Sequence, residues 1–99
     1  MSADNGIYIL ETPITGKKEW RVTHAQAIEN LHYQPPKGWD MDPQEVVTYF
    51  GKSQVFHSKA EALLRADEMA RGFAILEYGI QTIIGERPFE AYQEEAKNE

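Results

Sequence analysis

The sequence predicts an α+β fold: a small, mainly antiparallel sheet of about four strands with one long amphipathic helix packed on one face. Three observations carry this. Short segments such as Ile7–Leu10 and Trp20–Thr23 read as strands. After Ser58, apolar residues recur at three and four over about five turns. The order strand, strand, helix, helix, strand, helix, strand interleaves the two types, which is economical for a sheet with helices on one face.

"DNG" (Asp4–Gly6) is a turn signal, and "IYIL" (Ile7–Leu10) is apolar on both alternating faces, as for a strand buried on two sides. "TPITGKK" interrupts it with Pro13 and Gly16. "EWRVTH" resumes alternation, with Trp20 and Val22 on one face, so a hairpin with a loop longer than the tightest kind is expected. Thr23 followed by Gln26 matches a capping box for a helix through Ala27, Ile28 and Leu31. Pro35 and Pro36 end it in a loop carrying Tyr33 and Trp39. Asp42, Pro43 and Glu45 start a short helix with Val46, Val47 and Phe50 on its apolar side, and Gly51 stops it. "SQVFHS" reads as a third strand around Val55 and Phe56. Ser58 and Glu61 then cap the long helix, whose stripe is Ala62, Leu63, Ala66, Met69, Ala70, Phe73 and Leu76. Glu61–Arg65 and Asp67–Arg71 are four-apart pairs in the favourable order. Gly79 is placed to end that helix, with Gly72 inside it. "GIQTIIG" is the fourth strand, Ile80, Thr82 and Ile84 facing one way and Gln81 and Ile83 the other. This makes a single domain over residues 1–85. Residues 86–99 hold five glutamates against Arg87 and Lys97 and read as an acidic tail, frayed or partly helical, which Phe89 and Tyr92 dock in part.

The chain has 99 residues, which is one domain with one modest core. A net charge of −6 repels phosphate backbones, so direct nucleic-acid binding is disfavoured and a partner with a basic surface fits better. No apolar run approaches the ~18 residues of a membrane span, and the opening MSADNG lacks the basic start and apolar block of a secretion signal. With no cysteine there is no disulfide, thiolate zinc site or cysteine nucleophile, which fits the cytoplasm.

Reaction chemistry finds little support. His24 and His32 are eight apart, which on a helix is about 12 Å and too far for one ion; no HExxH occurs, and His57 lies on another element. Neither a metal nor any other cofactor is expected. Among Ser2, Ser53 and Ser58, none lies in a G-x-S-x-G elbow, and Ser58 has a capping role. Gly51-Lys52-Ser53 looks like the end of a phosphate loop, but the earlier glycine would be residue 46, which is Val46. The sequence therefore predicts no catalytic residue and no enzyme.

Aromatics near loops and element ends, Trp39, Tyr33, Tyr49, Phe50 and Tyr92, either close the rim of a small core or form a contact surface. As partner-binding residues the sequence offers Trp39, Tyr33, Tyr49 and Tyr92 with the acidic Glu90, Glu94 and Glu95. Arg21 and Lys17 near the hairpin are alternative rim contacts. A small-ligand binder, for instance one that sequesters a nucleotide signal, would draw on Arg21, His24, Gln26 and Asn30, with an oligomer able to assemble the pocket between chains.

"DNGIYIL", "RVTHAQAIENL", "VVTYFGKSQVFHSKAEALLRADEMA" and "ILEYGIQTI", spread from Asp4 to Ile84, resemble small accessory proteins of bacteriophages and prophages. The resemblance implies a short single-domain protein in the cytoplasm of a bacterial host. It transfers no residue role, since the motifs carry no known chemistry. Many such proteins bind and inhibit a host protein, CRISPR effectors and other defence machinery included, and a non-enzymatic interaction module of that kind is the expectation. The rival expectations are the small-ligand binder and a nucleic-acid accessory factor.

Overall fold

A strand that is apolar on both faces needs cover on both sides. The computed structural model describes residues 5–26, 42–73, 76 and 79–97. Strands β1 (Asn5–Ile14), β2 (Lys17–Gln26) and β3 (Ile80–Ile84) form a three-stranded sheet in the order β2-β1-β3. β2 runs antiparallel to β1, and β3 runs parallel to it. On one face Tyr8 and Leu10 of β1, with Ala25 and Ile83, meet Val46, Phe50, Phe89 and Tyr92 of helices α1 (Pro43–Phe50) and α3 (Phe89–Lys97). On the other, Ile7, Ile9 and Val22 meet Ala62 and Ala66 of helix α2 (Lys59–Ala70), together with Phe56. The fold is small and α+β, as expected. The helices, however, divide between two faces, because β1 presents large apolar groups at odd and even positions alike.

Two further expectations about the sheet need correction. It is mixed, and among the described residues it has three strands. The segment around Phe56 reaches the sheet only as a single bridge, with Trp20 N–H donating to Phe56 O at 3.0 Å and Phe56 N–H to Trp20 O at 2.8 Å. The chain leaves the ladder at Ser53, whose hydroxyl, rather than a carbonyl, accepts the Val22 N–H at 2.9 Å.

The hairpin turn is tight. Ile14 pairs with Lys17, leaving Thr15 and Gly16 as the turn, and Gly16 takes φ +73°, which glycine adopts without steric cost. Pro13 therefore stays inside β1, opposite Lys18. Its backbone nitrogen sits on the β3 side of β1, and the β3 pairing ends at Glu11, so no ladder bond is lost. β2 continues to Gln26, so Thr23 and Gln26 are strand residues instead of a capping box. The helix expected over Ala27–Leu31 and the loop after it lie outside the described residues.

α1 begins as predicted, with Asp42 Oδ1 accepting the Gln44 N–H at 3.1 Å and Pro43 in the first turn. α2 is capped by Ser58, whose Oγ accepts the Glu61 N–H at 3.1 Å. It closes at Ala70 just before Gly72, well short of Gly79, so Phe73 and Leu76 lie beyond it. Leu63, expected in the stripe, is 41% exposed. Arg71 pairs with Asp67 at 2.7 Å as expected, whereas Arg65 turns to Glu68 at 3.8 Å and not to Glu61. Residues 89–97 form α3, a helix with Phe89 and Tyr92 inside the core. No helix among the described residues is long and apolar enough to cross a membrane.

Candidate functional site

Among the described residues an open groove of about 600 Å³ lies beside the outer edge of β2. One wall is α2, through Glu61, Leu64, Arg65, Glu68 and Met69; the other is the end of α1 and the following connection, through Tyr49, Lys52, Ser53 and Gln54. Val22, Thr23 and His24 of β2, with Phe56, close its base. The local folding explains the shape. Ser53 draws the connection against β2 at Val22, where its hydroxyl also donates to Gln54 O at 2.9 Å. The turn before it is closed by Gly51 N–H to Val47 O at 2.9 Å and Ser53 N–H to Phe50 O at 3.1 Å. A gap is left between α1 and α2.

The groove is amphipathic. Leu64 is 61% and Tyr49 36% exposed, so large apolar groups stand in water on both walls. Exposed apolar side chains that gather at a concavity mark contact or ligand surfaces more than isolated ones do. Both signs of charge are present: Lys52 on one wall, Arg65 between Glu61 and Glu68 on the other. His24 is held rather than presented. Its ring stacks on Phe73 with centroids 4.0 Å apart, and its Nε2 lies 3.3 Å from the Asn5 side-chain nitrogen, placed to accept from that amide.

Of the residues singled out by sequence, the groove brings together Tyr49 and His24. Tyr92, expected at a contact surface, is 1% exposed and cannot meet a partner; its ring lies in the core under the Arg87 guanidinium at 4.5 Å. Glu90, Glu94 and Glu95 are exposed on α3, on the sheet face opposite α2, and Glu95 pairs with Arg87. Arg21, expected to bind a ligand, is engaged within the fold. It lies over the Phe89 ring at 3.8 Å and bonds Glu19 Oε1 at 3.3 Å. Burial lowers its pKa, while the charge of Glu19 and its hydrogen bond act the other way. Gln26 ends β2 with its backbone opposite Asn5, and Asn30, Tyr33 and Trp39 lie outside the described residues. Sequence reasoning missed Gln54, Leu64 and Glu68, set Lys52 aside as a failed phosphate loop, and read Arg65 only as a helix ion pair. A signal for the missed wall was Leu64, an apolar residue off the α2 stripe.

A smaller hollow of about 310 Å³ lies between the hairpin and α3, where Ile14, Glu19 and Arg21 meet Pro88, Glu90 and Gln93. Among the described residues, no three His, Asp or Glu side chains come together as a metal-binding group. The chain matches no protein-family model, no curated protein and no solved structure.

Proposed function

We propose that this chain is a non-enzymatic protein-interaction module of phage or prophage origin that binds and inhibits a host or defence protein, with the groove beside β2 as its anchor site. The carrying observation is the pair Leu64 and Tyr49, exposed on opposite walls of one concavity. Tyrosine is among the side chains that most often anchor protein contacts, and an exposed leucine facing it adds apolar surface to cover. The serine and the histidine of the groove are already engaged. Ser53 Oγ accepts from Val22 and donates to Gln54, and His24 is fixed by Phe73 and Asn5. The exposed Glu90 and Glu94 of α3 give a partner's basic surface a second, peripheral contact whose role is steering.

The test is capture of a partner from bacterial lysate at low and moderate salt, with wild type beside Leu64→Asp and Tyr49→Ala. A specific partner retained by wild type and lost by Leu64→Asp supports the reading. A partner indifferent to both variants, or none, refutes it. Glu90→Gln with Glu94→Gln is expected to weaken the salt dependence of association and leave the anchor intact.

A second reading has its own observation: about 600 Å³ falls within the usual range of small-ligand cavities, and His24 of the ligand-binding set lies at the groove base. A small molecule released on denaturing the pure protein, identified by mass spectrometry, would favour it.

A further inference from the structure

We infer that the groove receives an extended segment of the partner, which pairs as an added strand with the outer edge of β2 at His24 and carries acidic side chains to Lys52. This rests on the groove being the contact site and adds how the partner is recognised.

Backbone direction supplies the first support. Both polar backbone groups of Trp20 bond to Phe56, so the even-numbered residues of β2 aim theirs away from β1. The Val22 N–H is taken by Ser53. The Val22 C=O and the N–H and C=O of His24 come next, and among the described residues they have no partner. They stand where the protein's own edge segment departs, and Val22 and His24 both border the groove. A sheet edge of this kind is completed by an extended backbone, whose main chain supplies affinity while alternate side chains supply choice.

The charges say which side chains. Val22 belongs to the cluster under α2, so strand alternation turns one set of an incoming segment toward Leu64 and Met69 and the other toward Tyr49 and Lys52. The first set meets apolar groups on a wall where Arg65 is already paired with Glu68 and Glu61 leaves a net negative charge, which disfavours an acid. The second meets Lys52, exposed and with no carboxylate partner among the described residues. Alternating apolar and acidic residues fit both sides.

The experiment titrates the whole chain, labelled with nitrogen-15, with a short peptide of alternating valine and aspartate, read by amide NMR and hydrogen exchange. Expected are a shift of the His24 amide resonance and at least about tenfold slower exchange at that amide. Methylating the peptide amides that face β2, changing its aspartates to lysines, or Lys52→Glu in the protein should each weaken binding by about tenfold or more. Absence of binding, an unmoved His24 amide, or equal affinity of the methylated peptide overturns strand pairing. Any of these, found alongside a lysate partner that Leu64→Asp releases, leaves the groove as contact site and removes only the added strand.

Discussion

Replacing Tyr92 with alanine tests whether the acidic C-terminal helix belongs to the core. Tyr92 is 1% exposed and packs with Tyr8, Leu10, Phe50 and Phe89. A buried aromatic removes about 150–250 Å² from water, which at about 25 cal/mol per Å² is about 4–6 kcal/mol as an upper bound. Alanine retains part of that, and the cavity relaxes only in part, so the expected loss is about 3–5 kcal/mol. The Arg87 guanidinium over the ring adds about 0.5–1 kcal/mol to what is removed. A domain of this size has about 5–15 kcal/mol in total, so the variant stands near the limit of folding. Urea denaturation followed by circular dichroism should show a midpoint lower by about 1 M or more, given slopes of about 1–3 kcal/mol per M. Glu90→Gln and Glu94→Gln, exposed on the same helix, should change the stability by no more than about 0.5 kcal/mol. A loss under about 1 kcal/mol for Tyr92→Ala would refute the docking of α3.

Thr12 is fully buried and its hydroxyl makes no hydrogen bond among the described residues, so Thr12→Val should raise stability by about 1 kcal/mol in the same assay. Glu11 accepts the Trp20 indole N–H at 3.0 Å and pairs with Lys18 at 3.4 Å. Glu11→Gln, which keeps an acceptor, should cost under about 1 kcal/mol, while Glu11→Leu strands the indole and should cost about 1–3 kcal/mol; equal losses would count against the indole bond. A Cβ at Gly51 would lie 2.5 Å from the Val47 carbonyl oxygen, so Gly51→Ala should lower the melting temperature and reshape the α1 wall of the groove. A melting temperature equal to wild type would remove that constraint.

Local signals were readable where one side chain decides the outcome. Asp42 with Pro43, and Ser58 three residues before Glu61, each announce a helix start because the cap needs only its own turn. The two-faced pattern of Ile7–Leu10 also announced a strand buried on both sides, although the helices were assigned to one. What could not be read depended on neighbours distant in the chain. Thr23 and Gln26 form a good cap locally, yet pairing with Tyr8 and Asn5 holds them in a strand. The Phe56 segment has strand composition but is released from the ladder by a serine hydroxyl. The acidic run reads as a tail because glutamates dominate its composition, but Phe89 and Tyr92, three apart, already mark the side that docks, and both lie in the core. The groove was the least legible feature. Its walls come from three separate stretches, and only their packing places Leu64 opposite Tyr49.

The parallel pairing of Ile7 with Ile80 sets an order on biosynthesis. β1 waits until residues 80–84 have been made before its second neighbour exists. Until then one edge of β1 keeps its backbone groups unpaired, open to chaperones or to aggregation. Any fragment that stops before residue 80 inherits that exposure permanently.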